Sequence, residues 1–164
     1  MEIDVNLELE DYVRASYWFL FHKWSMKLLL FFAVLLTLVL FYARIADPNR
    51  PFFPVLIPAI AVLFMIVSTY LGVRKNMASN RSLREMFHYN FSEIGIDAVA
   101  QSSSGHTRWE NILSAFETKR SFLLFVSRNQ MYVIPKRSFR DAEQVASFRH
   151  LLVSHLGPKA ELTI

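Results

Sequence analysis

From Phe52 to Val73 the chain runs for 22 residues without one Asp, Glu, Lys, Arg or His. As a helix rising 1.5 Å per residue, this stretch covers roughly 33 Å, enough to cross a ~30 Å hydrocarbon core with some tilt. A helix buried in a protein core is the competing reading. Such helices rarely avoid polar residues on every face for about six turns.

A second apolar stretch precedes it. Leu28 to Ala43 adds 16 uncharged residues, bracketed by Lys27 and Arg44. Those two side chains can keep their stems in the apolar layer and send their charges outward. Trp24 and Tyr42 sit where an aromatic belt would lie. The expected spans are therefore 24–46 and 52–73. Between them, Arg44 to Pro51 holds Pro48, Pro51 and an Asp-Pro step. Asp47 is expected to cap a helix starting at Pro48, or Asn49 a helix one turn later. A connection this short makes the helices antiparallel neighbours. Pro58 lacks the N–H that would bond the Pro54 carbonyl, so a bend is expected there.

Composition agrees. Apolar residues make up 53% of 164, and a chain this short cannot bury that share in a globular core. There is no cysteine, which excludes disulfides and thiol chemistry. The first 22 residues carry Glu2, Asp4, Glu8, Glu10 and Asp11, the opposite of a basic leader, so no targeting peptide is expected. Lys23 and Lys27 flank the first span, and Arg74, Lys75, Arg81 and Arg84 follow the second. The connection has only Arg44 and Arg50, with Asp47 between them. Basic residues collect on the cytoplasmic side, so both termini are expected there, in a cell (inner) membrane crossed twice.

After Arg84 the period changes to two. Phe87, Tyr89 and Phe91 alternate with polar residues, as do Ile96, Ala98 and Ala100. Ser102 to Gly105 reads as a loop, and Thr107 to Trp109 as extended chain. Ile112–Thr118, Phe122–Val126 and Met131–Ile134 are three more expected strands. Ser138 to Asp141 resembles a capping box. Val145, Phe148, Leu152 and Leu156 then form a helical stripe that Gly157-Pro158 ends. At the other end of the chain, Ile3, Val5, Leu7 and Leu9 alternate with polar residues. An isolated strand is unstable, so this one is expected to join the C-terminal sheet. Asp11 to His22 reads as an aromatic helix suited to the lipid interface. Three segments result: 1–22, strand and juxtamembrane helix belonging to the cytoplasmic domain; 23–76, the hairpin; and 77–164, a sheet of about five strands plus one helix. The fold class is an α+β membrane protein.

Three short motifs in this order resemble the YcxB-like family of bacterial two-pass membrane proteins. They are Phe91-Ser-Glu-Ile-Gly95-Ile96, Trp109-Glu-Asn-Ile112 and Ile134-Pro135-Lys136-Arg137-Ser138-Phe139. The resemblance covers most of the chain. It implies a cytoplasmic sheet-plus-helix domain similar to a pleckstrin-homology-like fold, of uncharacterised role, and it supplies no catalytic residues.

Candidate chemistry is sparse. His150 and His155 are five apart and point about 140° from one another on a helix, so they cannot share a metal as an i, i+4 pair would. His88 and His106 could meet across strands, but spacing places no carboxylate beside them. The four glycines form no phosphate loop. The spans hold no ionisable group for a proton or ion path. No metal, cofactor or nucleic acid is expected. The lead that remains is basic: Arg74, Lys75, Arg81, Arg84, Lys136, Arg137 and Arg140 are candidate contacts for anionic lipid headgroups or a partner protein. From Arg74 onward the chain carries 13 Lys/Arg against 8 Asp/Glu. The expected function is a non-enzymatic, membrane-anchored interaction or regulatory module. The alternative is a subunit or immunity-type partner of another membrane protein, binding through the hairpin. Composition leaves the oligomeric state open.

Overall fold

The computed structural model describes residues 1–49, 51–80, 83, 85–128 and 130–162. The chain divides into two compact units: Met1–Tyr12 with Met77–Ile164, and Val13–Asn76 between them.

Among the described residues, the first unit holds two four-stranded sheets and a C-terminal α-helix. Strands β1 (Glu2–Asn6), β2 (Met86–Phe91), β3 (Gly95–Val99) and β4 (Ser104–Arg108) form one antiparallel sheet in that order. β1 lies on β2 with Ile3 opposite Tyr89 and Val5 opposite Phe87. The alternation in the sequence explains the pairing: Ile3, Val5 and Leu7 are buried, while the residues between them are exposed. The second sheet contains β5 (Ser114–Glu117), β6 (Ser121–Phe125), β7 (Met131–Pro135) and β8 (Ala160–Glu161), in the order β7-β6-β5-β8. β8 runs parallel to β5. The expected single sheet of about five strands is therefore two sheets of four. The sequence gives strands but not the break between them. That break falls at Trp109–Asn111, a 3-10 turn that takes in Trp109, the last residue of the extended chain expected over Thr107 to Trp109.

The last helix, here α4 (Ala142–Leu156), follows a 3-10 turn at Lys136–Ser138. Its cap is Asp141, whose carboxylate accepts from Gln144 N–H at 2.7 Å, rather than Ser138. Gln144 reaches back to accept from Arg140 N–H at 2.7 Å, so the reciprocal cap lies three residues later than the sequence suggested. Gly157, with φ +53°, closes the helix in a conformation that glycine adopts at little cost. Phe148, Leu152 and Leu156 are buried from α4. Phe148 meets Phe91, Phe122 and Phe139 with ring centroids 4.8, 5.0 and 5.2 Å away, so residues from both sheets converge on one helix face.

The second unit is a helical hairpin. Helix α1 (Leu9–His22), whose first residues to Tyr12 belong to the first unit, leads into α2 (Trp24–Ala46), and α3 (Phe53–Ser79) follows. α2 and α3 are long and apolar enough to cross a membrane; none of the most apolar window of α2, and 11% of that of α3, is buried within the protein. Asp47 ends α2 instead of starting the next helix: its N–H bonds the Ala43 carbonyl and its carboxylate accepts from Asn49 N–H. α3 starts at Phe53 and runs through Pro58. Within this unit the Tyr17 hydroxyl donates to the Ile66 carbonyl at 2.9 Å. Thr37 and Thr69 bond carbonyls one turn back in their own helices, so neither offers a spare polar group to the apolar surroundings.

Candidate functional site

Ser92 to Gly95 is the turn between β2 and β3. Ser92 N–H donates to the Gly95 carbonyl, and the Ser92 hydroxyl accepts from Gly95 N–H at 3.3 Å. A Cβ on Gly95 would press into the Thr107 carbonyl and approach the Arg108 Cα to 2.9 Å, so this crossing of β3 and β4 has room only for glycine. Trp109 is 6% exposed, and its indole N–H donates to the Ser92 carbonyl at 2.8 Å. The indole stacks on His155 from α4 with centroids 4.7 Å apart, and His155 Nε2 stands 3.6 Å from Glu93. Trp109 thus ties the turn, the junction between the sheets and α4 together. It is a core residue of this unit.

Two ion-paired centres lie in the same unit. Glu117 on β5 has a side chain only 1% exposed; Lys136 contacts it at 2.5 Å, and Arg149 from α4 at 2.7 and 2.8 Å. Burial pushes its carboxyl up, and hydrogen bonds from Arg149 and Lys136 more than reverse this, so it ionises below the ordinary value. Asp11, near the start of α1, takes both arms of Arg137 at 2.6 Å and accepts from Glu8 N–H. Arg137 also donates to the Asn6 carbonyl at 3.1 Å. The hydrogen bond to Asp11 raises the Arg137 pKa, so the cation is permanent. Burial, with Asp11 nearby, pushes the Tyr12 hydroxyl up to about 12.

The seven basic candidates therefore separate. Lys136 and Arg137 bond carboxylates of their own chain, and Arg140 is exposed beside α4. Arg74 and Lys75 are exposed on α3, in the hairpin unit. Arg81 and Arg84 lie outside the described residues. Sequence reasoning missed Asp11 and Glu117, because nothing local marks a carboxylate as the partner of a cation 126 or 19 residues away.

It also missed carboxylates beside two histidines. Asp4 faces His88 across β1–β2 and contacts its Nδ1 at 2.5 Å; Asp97 does the same for His106 across β3–β4 at 2.6 Å. Both pairs are exposed on the outer face of the first sheet. Strand register was the missing information. Among the described residues, no group of three His, Cys, Asp or Glu is placed to hold a metal. An open polar cleft of about 870 Å³ runs between the edge of β1 and the start of α4.

Comparison with known proteins falls on this same unit. Residues 91–152 match the YcxB-like protein family. That segment is similar to the YcxB-like family. The YcxB-like segment opens at Phe91, closes at Leu152, and takes in the Ser92–Gly95 turn, Trp109, Glu117, Lys136, Arg137 and Arg149. All three motifs behind the resemblance thus have structural work: two meet at the Ser92–Trp109 bond, and the third supplies cations for Glu117 and Asp11. The chain is also 24% identical over 107 residues to the uncharacterized protein YcxB of Bacillus subtilis (strain 168), covering 63% of this chain. It spans 58% of that relative's length. No solved structure matches the chain.

Proposed function

We propose that this protein is a non-enzymatic interaction module tethered to the cell membrane by its hairpin, with both ends cytoplasmic and a pleckstrin-homology-like folded unit. One observation carries the reading. The hairpin is inserted in the chain between β1 and β2, yet β1 completes the sheet that β2 begins. An insertion of that kind requires both flanks of the hairpin on one side of a bilayer, which is also the side that the Lys/Arg distribution assigns to the cytoplasm. The two four-stranded sheets with a C-terminal helix support the pleckstrin-homology-like description. The non-enzymatic reading is supported by where the charged groups go: Glu117 and Asp11 are committed to cations that hold elements together.

Site-directed photocrosslinking in cells tests the reading. Crosslinking side chains at exposed Asn90, Arg140 or Glu143 should trap a discrete partner, while the same group at Leu38 or Phe64 should trap lipid. Discrete protein adducts confined to Leu38 and Phe64 would instead support the subunit or immunity-type alternative.

A further inference from the structure

β1 is an edge strand with half of its main chain turned away from the sheet. Phe91 N–H donates to the Met1 carbonyl at 2.8 Å, which places the narrow, doubly bonded pairs of β1–β2 at Met1, Ile3 and Val5. The N–H and C=O groups of Glu2, Asp4 and Asn6 must then point outward. Asn6 follows this rule, since its carbonyl accepts from Arg137. The outward main-chain groups of Glu2 and Asp4 have no partner among the described residues. They open onto the 870 Å³ cleft, whose far wall is formed by Arg140 and the first turns of α4. Four carboxylates line this cleft, Glu2, Asp4, Asp141 and Glu143, against the guanidinium of Arg140 and the Met1 ammonium, which donates to the Phe91 carbonyl.

We propose that the cleft takes an extended basic segment of a partner protein, which adds to the first sheet as a fifth strand alongside β1. The proposal rests on the interaction-module reading and names the partner's chemistry. Main-chain bonds to Glu2 and Asp4 supply the pairing, and Lys or Arg at alternate positions meets the carboxylates. The lining disfavours other occupants. A second copy of β1 would set Glu2 and Asp4 against the same residues, and anionic lipid headgroups would meet those carboxylates too.

The test uses the full chain in detergent micelles and three fluorescent eight-residue peptides, followed by anisotropy. The first alternates Lys and Val; the second has the same sequence with N-methyl groups on alternate residues of its pairing edge; the third alternates Glu and Val. The proposal requires saturable binding of the first, at least about tenfold weaker binding of the second, and none of the third. The double substitution Glu2→Lys with Asp4→Lys should weaken the first by about tenfold or more. Because N-methylation alters the probe, the main-chain test stands even where that variant fails to fold. Equal binding of the plain and methylated peptides would show charge attraction without strand pairing and overturn the proposal. So would equal binding of the acidic peptide, or failure of the first to bind. A failed peptide with crosslinks still arising from the folded unit removes the cleft proposal alone; crosslinks confined to the hairpin remove the interaction-module reading.

Discussion

Glu117 is a buried anion held between a lysine and an arginine, and its replacement separates electrostatics from packing. Glu117→Gln keeps the shape but leaves Lys136 and Arg149 facing a neutral amide. Breaking such a pair costs about 3 kcal/mol, the low end for buried pairs, because both cations retain some solvent. The pH dependence has a definite sign. The folded-state pKa of Glu117 lies below the ordinary 4.5, so the unfolded chain takes up the proton first as pH falls. The stabilisation is complete above about pH 4.5 and is lost on descending through the lower folded-state value. Urea unfolding of wild type and variant should show a gap that is full at neutral pH and closes in acid. Trp109→Ala removes an indole that fills the junction between the sheets and satisfies the Ser92 carbonyl, so a loss of ~3–5 kcal/mol in the same assay is expected.

At the scale of elements, β1 tests whether two pieces of chain on either side of the hairpin make one fold. Burying Ile3, Val5 and Leu7 is worth about 1.5–3 kcal/mol each before the cost of ordering the strand. Residues 77–164 alone should therefore expose the apolar edge of β2 and aggregate. Joining residues 1–12 to them through a flexible linker should give a monomer with a single cooperative unfolding transition by calorimetry. A well-behaved fragment, unchanged by the added strand, would contradict the pairing. The alternation of Ile3, Val5 and Leu7 and of Phe87, Tyr89 and Phe91 made these strands legible in the sequence, as did the helical stripe ending at Leu156. Period two reveals a strand's buried face but not its neighbours. The split into two sheets, the Asp4–His88 and Asp97–His106 pairs, and the parallel β8 therefore stayed hidden. The cations of the candidate surface were visible as residues. That Lys136 and Arg137 are bound to Glu117 and Asp11 was not, because those contacts depend on the folded path of the whole unit.

For the whole molecule, the central claim is that the chain crosses a membrane twice between two strands of one sheet. Absence of cysteine makes this directly measurable, since any introduced thiol is the only one in the chain. Single cysteines at Asn49, in the connection after α2, at Asn90 on the outer face of the first sheet, and at Glu161 on β8 place probes in the loop and on the folded unit. The decisive measurement is labelling of these three variants in intact cells with a membrane-impermeant maleimide. Cysteine at position 49 should label without permeabilisation, and cysteines at 90 and 161 only after it. Labelling of position 90 or 161 from outside intact cells, or protection of position 49 until the membrane is opened, would contradict the account.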